Sequence, residues 1–309
     1  MGGGSYDRDS FARYSRSKGV AYDSVTKKLS KSVTHQDIFK SRTVNTALNP
    51  KNVIRECCDS EEHPFTKPII LALDVTGSMG DAATEIASSM GVIMENLYNK
   101  VKDIQFMTMG IGDFAYDYGP LQVSQFESDT RINEQLDKIW FEFGGGGNSY
   151  ESYTAAWKFG LDHTKLDCYD KRNTKATLIT IGDETLNPMI SGSRWREVVG
   201  DNVQGDIETK DLYEAASKKF NIYHIHVSHG YGRDDHYDSK CVHSFESVLG
   251  VQHVFQCNVD NIDQTITNIV LDSVNDSGSF VSDDTTTESI PQAIVNSGVN
   301  TNENGEITW

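Results

Sequence analysis

The chain has 309 residues, a net charge of −17 and a hydrophobic fraction of 37%. This length fits one large domain with extensions, or two small domains. No run of 18 apolar residues occurs, and the polar N-terminal stretch lacks the apolar core of a secretory signal, so neither a membrane span nor a signal peptide is predicted.

Charge is distributed unevenly along the chain. Residues 1–60 contain 11 Lys and Arg against 6 Asp and Glu, whereas the remainder contains 17 against 39. The acidic body argues against nucleic-acid binding by that part, because neutralising phosphates requires a surplus of Lys and Arg. The basic segment is expected either to contact an acidic partner or to lie on the chain's own acidic body.

The cysteine content indicates whether the protein resides in a reducing or an oxidising cellular compartment. The cysteines are Cys57, Cys58, Cys168, Cys241 and Cys257. Their number is odd and no pair of Cys-x-x-Cys units is present, so a zinc site has little support and free thiols are expected. Free thiols without a signal peptide predict a cytoplasmic protein, or one assembled into a particle made in the cytoplasm.

Composition divides the chain into three parts. Residues 1–64 form a basic, polar arm, with short helical or extended pieces expected around residues 34–46. Residues 65–274 carry the strong periodic patterns and are predicted to be the folded domain. Residues 275–309 contain no Lys or Arg and are rich in Ser, Thr, Asn, Asp and Gly, which predicts an acidic tail that is mobile until a partner orders it.

Strand and helix patterns alternate within the predicted domain. The predicted strands are Pro68–Leu73, Ile104–Ile111, Leu121–Phe126, Ala176–Gly182, Ile222–Val227 and Val251–Gln256. The predicted helices are Asp81–Tyr98, Arg131–Trp140, Glu151–His163, Leu212–Phe220, Val242–Leu249 and Ile262–Val274. This alternation predicts an α/β fold with a doubly wound, mostly parallel sheet, in which Leu121–Phe126 forms an antiparallel edge. Function is then expected at the carboxyl ends of the strands.

Oxygen-bearing side chains follow the ends of these strands. The first strand ends at Asp74, and Thr76 and Ser78 alternate behind it, so a turning backbone can direct three oxygens at one point. The Ala176–Gly182 strand ends at Asp183, and a glycine-rich loop, residues 144–151, lies between the two. Hard oxygen ligands with few carboxylates suit Mg²⁺ or Mn²⁺.

Simpler interpretations exist for each feature. Ser78 with Asp81 would cap the following helix. The glycines would form only a flexible loop, and Asp183 would be an ordinary turn residue at a strand end.

The stretch DVTGSM, residues 74–79, resembles the first motif of von Willebrand factor A domains that carry a metal-ion-dependent adhesion site, in the form common in intracellular and microbial members. Asp74, Thr76 and Ser78 match the ligands of that motif. Asp183, in the stretch LITIGDE, matches the family's last motif. The resemblance covers residues 66–274 and implies a von Willebrand-type sheet.

The middle motif departs from the common family pattern. The loop GGGGNSYES contains no Thr and is more similar to the GGGD-x-x-E loop of hemicentin-like and alpha-kinase-associated members. Asn148 then stands at the Asp position and Glu151 at the Glu position. Asn148 is the favoured middle ligand, with Ser149 and Glu151 as alternatives.

The resemblance implies a binding module without catalytic activity. A Mg²⁺ or Mn²⁺ ion would be held by Asp74, Thr76, Ser78, Asn148 and Asp183, and would capture an Asp or Glu of a protein partner. One alternative is a structural component of a virion or other large complex. Such a component would make its assembly contacts through the arm and tail, and the metal site would only stabilise the protein.

A less favoured alternative is a Mg²⁺-dependent phosphatase, because Asp74 looks superficially similar to the nucleophile of haloacid dehalogenase-type enzymes. Thr76 stands where the acid/base Asp of those enzymes would be, and Val75 cannot neutralise phosphate.

Two further features are expected near the carboxyl ends of the predicted strands. Asp113 follows the second predicted strand and either hydrogen-bonds a metal ligand or is a hairpin residue. The histidines cluster late in the chain, at His224, His226, His229, His236 and His243. No Glu or Cys stands at a recognisable spacing for a zinc site, so a histidine-lined rim is favoured over zinc.

Overall fold

A computed structural model describes Tyr6 and residues 8–142, 148–228 and 235–276. The glycines at 144–147, His229 and nearly all of the acidic tail therefore lie outside the described residues. Within those residues, no helix is long and apolar enough to cross a membrane. The five cysteines are free thiols.

Six strands of the described chain form the central sheet. In chain order they are β1 (Lys67–Asp74), β2 (Ile104–Ile111), β3 (Leu121–Val123), β4 (Ala176–Gly182), β5 (Phe220–Ser228) and β6 (Val254–Asn258). Their order across the sheet is β6-β5-β4-β1-β2-β3, and every neighbouring pair is parallel except the antiparallel pair β2–β3. The predicted fold class, a doubly wound and mostly parallel sheet with one antiparallel edge strand, is confirmed.

Helices cover both faces of this sheet. In chain order they are α1 (Arg8–Ser17), α2 (His35–Ile38), α3 (Gly80–Tyr98), α4 (Arg131–Leu136), α5 (Thr154–His163), α6 (Asp167–Arg172), α7 (Gly192–Val198), α8 (Thr209–Ala216), α9 (Asp235–Leu249) and α10 (Ile262–Asp276). Short strands pair outside the sheet: Tyr22–Asp23 with Lys28–Leu29, Arg55–Cys57 with Thr164–Leu166, Tyr150–Glu151 with Thr185–Leu186, and Met189–Ile190 with Ile207–Glu208.

The central sheet divides the hydrophobic core into two layers, as the side chains of its strand β1 show. Side chains alternate between the two faces of a strand. Ile69, Leu71 and Leu73 of β1 pack in the layer that contains α3 and α10. Ile70 and Ala72 pack in the opposite layer, with α5, α8 and α9. Because both faces are covered, β1 is apolar along almost its whole length, and the polar Asp74 at its end is exceptional.

The helix predicted at Arg131–Trp140 is shorter than expected. It ends at Leu136. The Asp137 N–H still donates to the Asn133 carbonyl, but Lys138 and Ile139 donate only to the carbonyls three residues before them. The side-chain amide of Gln122 then takes both backbone groups of Trp140: it accepts from the Trp140 N–H at 2.9 Å and donates to the Trp140 carbonyl at 2.8 Å. This pairing with the edge strand replaces the hydrogen bonds that a continued helix would have made.

Other element boundaries also differ from the sequence prediction. The helix predicted at Glu151–His163 begins at Thr154, because Tyr150–Glu151 pairs as a short parallel strand with Thr185–Leu186. The helix predicted at Leu212–Phe220 runs from Thr209 to Ala216, because Phe220 already belongs to β5. The sequence prediction did not include α6 or α7.

The described part of the basic arm lies on the acidic body. The ring of Phe11 packs so closely on α3 that a Cβ atom added to Gly91 would be 2.7 Å from it. The ammonium group of Lys28 lies 2.7 Å from a carboxylate oxygen of Glu85 and 2.8 Å from one of Asp263. Apolar packing and charge pairing therefore both attach the arm.

Candidate metal centre

Asp74 is the central residue of the candidate metal centre. It is the last residue of β1, pairs with Ile111 of β2, and is fully buried. Its Oδ1 accepts hydrogen bonds from the backbone N–H of Thr76 at 2.9 Å and from the Thr76 hydroxyl at 2.6 Å. This local turn brings the first two expected ligands together at the carboxyl end of the sheet.

Ser78 lies on the surface above this turn. Residues Gly77–Met79 form a 3₁₀ turn that leads directly into α3. The residue in the N-cap position of α3 is Met79, which has no side-chain acceptor, so the interpretation of Ser78 as the helix cap is wrong. Ser78 is exposed, lies two residues after Thr76, and its hydroxyl makes no hydrogen bond to any other described residue.

Asp183 reaches the same place from the neighbouring strand. It follows Gly182, the last residue of β4, and is fully buried. Burial first, and the negative charge of Asp183 second, raise the pKa of Asp74 to about 7. The negative charge of Asp183 therefore acts on Asp74 at the switch point of the sheet, where charge repulsion and poor solvation both favour the protonated form of Asp74.

The three candidates for the middle ligand are placed differently. The amide of Asn148 donates to Oδ2 of Asp113 at 2.7 Å, so Asn148 supports the loop after β2. Ser149 is exposed. Glu151 is only 6% exposed, and its Oε2 is buried without a hydrogen-bond partner among the described residues.

Glu151 is also strongly perturbed by its surroundings. Burial, followed by the negative charges of Asp74 and then Asp117, raises its pKa to about 10. Glu151 therefore interacts electrostatically with Asp74. The short strand pair with Thr185–Leu186 holds it there, and this long-range pairing was absent from the sequence prediction.

Tyr153 is a site residue that sequence reasoning missed. Its hydroxyl donates to Oδ2 of Asp74 at 2.8 Å and accepts from the backbone N–H of Glu184 at 3.3 Å. A Cβ atom on Gly182 would lie 2.0 Å from this hydroxyl, so the glycine at the end of β4 makes room for it. In the sequence, Tyr153 looks like an apolar residue of the predicted helix.

The donor set fits a hard divalent cation. The raised pKa values of Asp74 and Glu151, and the Oε2 of Glu151 that has no hydrogen-bond partner among the described residues, indicate buried carboxyl groups whose charged forms a cation would stabilise. Among the described residues, no group of three or more His, Cys, Asp or Glu side chains is arranged as a metal site, so the hydroxyls of Thr76 and Ser78 would have to complete the shell. Such a set of oxygens suits Mg²⁺ or Mn²⁺.

Two of the late histidines are structural. His224 is fully buried, stacks on Phe245 with ring centroids 3.4 Å apart, and has its Nδ1 3.0 Å from the hydroxyl oxygen of Thr180. His226 is also fully buried, and its Nε2 lies 3.1 Å from a carboxylate oxygen of Asp238. The prediction of a histidine-lined rim is therefore wrong for these two residues.

Comparison with known proteins gives structural likeness only. No protein-family model and no curated protein matches the chain. One similar structure is the pilus adhesin SpaC from Lactobacillus rhamnosus GG in its open conformation, with a TM-score of 0.49, 13% identity, and coverage of 73% of this chain and 31% of that chain. Another is the vWF domain of the type V pili tip protein Mfa5 from Porphyromonas gingivalis, with a TM-score of 0.44, 11% identity, and coverage of 72% and 98%.

A third similar structure is proximal thread matrix protein 1 from the mussel byssus, with a TM-score of 0.45, 10% identity, and coverage of 70% of this chain and 49% of that chain. This chain therefore spans about a third of the length of SpaC and about half that of the byssus protein. On its own strand order, the described domain belongs to the doubly wound α/β class.

Proposed function

We propose that this chain is a metal-dependent protein-binding module. Asp74, Thr76 and Ser78 would hold Mg²⁺ or Mn²⁺ together with Asp183, and Glu151 or Asn148 would complete or orient the shell. When bound, the ion supplies an electrophilic centre that accepts a carboxylate oxygen from a partner. The observation that supports the proposal is the burial of Asp74 and Asp183 at neighbouring strand ends, together with a buried Glu151 whose Oε2 has no hydrogen-bond partner among the described residues.

The energetics of burial support this proposal. Burying carboxylates near one another is costly, because each loses hydration and repels the other. Asp74 partly compensates through three hydrogen bonds, from Thr76 and Tyr153. Glu151 Oε2 has no such partner in the part of the chain that the structure describes. A divalent cation would remove the repulsion, and the exposed position of Ser78 would leave the ion accessible from solvent.

Binding is favoured over phosphate transfer for chemical reasons. The hydroxyl of Thr76 donates to Asp74, and the neighbouring side chain of Val75 is buried and apolar. Neither can neutralise a transferring phosphoryl group. We expect no release of phosphate from p-nitrophenyl phosphate in the presence of Mg²⁺ above the rate without protein.

The proposal is tested by titrating Mg²⁺ into EDTA-stripped protein by isothermal calorimetry. The Asp74→Asn variant should lose Mg²⁺ binding. The matched control is Asp81→Asn, because Asp81 is an exposed acidic residue in the first turn of α3, close in sequence to the site. Absence of Mg²⁺ and Mn²⁺ binding by the parent protein, or equal loss in both variants, would refute the proposed metal centre.

A purely structural role for the arm is less well supported. The described arm contacts the body at several points, among them Phe11 on α3 and Lys28 between Glu85 and Asp263. An arm held in this way is less free to make the contacts of an assembly.

A further inference from the structure

The loop between β2 and β3 presents two tyrosines to solvent beside the candidate metal centre. We call residues 112–120 the tyrosine loop. Tyr116 is 57% exposed and Tyr118 is 89% exposed. The loop begins directly after Ile111, which pairs with Asp74, so it starts at the same edge as the metal centre. Tyrosine is enriched among the residues that contribute most of the binding energy at protein interfaces.

The first half of the tyrosine loop is anchored by hydrogen bonds. The carboxylate of Asp117 accepts from the backbone N–H of Asp113 at 2.7 Å. The guanidinium group of Arg194 donates to the carbonyl of Phe114 at 2.8 Å and to that of Asp117 at 3.0 Å. The Phe114 ring stacks on Trp195, with centroids 5.7 Å apart. Helix α7, absent from the sequence prediction, thus fixes this half of the loop.

The second half is anchored from another segment. The carboxylate of Glu142 accepts from the backbone N–H of Tyr118 at 3.0 Å and from that of Gly119 at 3.1 Å. The backbone at Tyr118 is therefore held while its ring stays in solvent. A tyrosine on a fixed backbone loses little conformational entropy when a partner binds, because only two side-chain torsions remain to be ordered.

The surroundings of the tyrosine loop are acidic. Asp113 and Asp117 lie within it, Glu142 supports it, and Asp113 and Asp117 act electrostatically on Glu151 of the metal centre. The chain beyond residue 60 carries 39 acidic against 17 basic residues. Negative potential and the faces of aromatic rings both attract Lys and Arg side chains.

We propose that Tyr116 and Tyr118 form a docking surface for cationic side chains, so that the partner is a protein segment in which one Asp or Glu is flanked by Lys or Arg. The central carboxylate would bind at the metal centre, and this part rests on the proposed function. The flanking cations would contact the exposed rings of Tyr116 and Tyr118, and the acidic body would attract them at longer range. Charge complementarity with a body this acidic favours a basic partner over an acidic or purely apolar one.

The test uses seven-residue synthetic peptides with a fluorescent label, measured by anisotropy. One peptide has a central Asp flanked on each side by Lys and Arg. The others replace the flanks by Ser or by Glu, or replace the central Asp by Asn. In Mg²⁺, the basic-flanked Asp peptide should bind at least about tenfold more tightly than the Ser-flanked peptide.

Variants then locate the surface. Tyr116→Ala combined with Tyr118→Ala should weaken binding of the basic-flanked peptide about tenfold, while the corresponding Phe variants retain it, because a phenyl face also attracts cations. Phe65→Ala is the matched control: Phe65 is 63% exposed and lies next to β1 at the opposite end of the strand from Asp74. Mg²⁺ affinity and the melting temperature should be the same in all of these proteins.

The outcomes separate this inference from the proposed function. Equal binding of the Lys/Arg-flanked and Ser-flanked peptides, or tight binding that survives loss of both tyrosines, would overturn the docking surface even if Mg²⁺ binds. Tyrosine-dependent binding of the basic peptides that persists in EDTA would uphold the docking surface and count against carboxylate capture by a metal.

Discussion

The phenolic hydroxyl of Tyr153 donates to Oδ2 of Asp74 at 2.8 Å, and the backbone N–H of Glu184 donates to the same hydroxyl. One side chain thus links the ends of β1 and β4. Its ring is held edge-on against His224 and Phe245, at centroid distances of 5.4 and 5.3 Å. The carboxylate is therefore oriented by a residue that is itself fixed by packing.

Removing this hydroxyl should weaken the fold. Tyr153→Phe keeps the ring but deletes the donor to a buried carboxyl, and we expect a loss of about 1–3 kcal/mol in the free energy of unfolding, measured with urea. Tyr213→Phe is the control, because the Tyr213 hydroxyl makes no hydrogen bond to a described residue and its partly buried ring packs against Trp157. Equal effects of the two substitutions would argue against the Asp74 bond.

Metal-free protein should become less stable as pH rises. The unfolded pKa of an Asp is about 4, whereas burial and Asp183 raise that of folded Asp74 to about 7. The folded state then binds more protons between these values, so the contribution of Asp74 is full below pH 4 and is lost as pH rises through 7.

Urea unfolding of EDTA-treated protein at pH 5, 6, 7 and 8 measures this effect. Asp74→Asn, which does not titrate, isolates the contribution of Asp74 from that of other carboxyl groups. The difference in unfolding free energy between parent and variant should shift in favour of the variant as pH rises. A difference that is constant with pH, or that shifts toward the parent, contradicts the raised pKa.

Binding of Mg²⁺ should release protons. Glu151, whose pKa is raised to about 10, is protonated at pH 7.5, and a cation beside it would favour the charged form. Calorimetry in buffers of different ionisation enthalpy should detect the release of about one proton per Mg²⁺ bound at this pH. Glu151→Gln should reduce the release. Proton release unchanged in Glu151→Gln would place Glu151 outside the metal's influence.

The glycine at the end of β4 should be indispensable. Gly182→Ala places a methyl group 2.0 Å from the Tyr153 hydroxyl, and the nearby ring leaves little room for adjustment. We expect destabilisation by about 3 kcal/mol or more, together with weaker Mg²⁺ binding. Gly205→Ala is the control, because an added Cβ there meets no atom within 4 Å. Normal melting and Mg²⁺ affinity in Gly182→Ala would contradict the close packing.

The part of the candidate metal centre around Asp74 could be predicted from the sequence, because the pattern that indicates it is local. A buried apolar strand that ends at Asp74, with hydroxyls two and four residues later, is a short-range pattern, and the parallel sheet then brings Asp183 alongside. Glu151 and Tyr153 depend instead on contacts with residues 183–186, which no periodic pattern encodes. Local propensity therefore extended the helix across Glu151.

The tyrosine loop illustrates the same limit. Asp113 was expected either to support a metal ligand or to be a hairpin residue, and it is found accepting from Asn148. The anchor from Arg194 is 77 residues from Asp117 in the chain, on a helix too short and polar to produce a clear periodic pattern. Long-range polar contacts of this kind become visible only in the folded arrangement.

The bridge made by Lys28 has a practical consequence for producing the protein. Its ammonium group lies between the carboxylates of Glu85 on α3 and Asp263 on α10 and pairs with both. A recombinant fragment that begins near residue 65, where the periodic patterns start, would leave those two carboxylates facing each other and would uncover the Phe11 contact on α3. Fragments intended for metal or peptide binding should therefore retain the arm from Tyr6 onward.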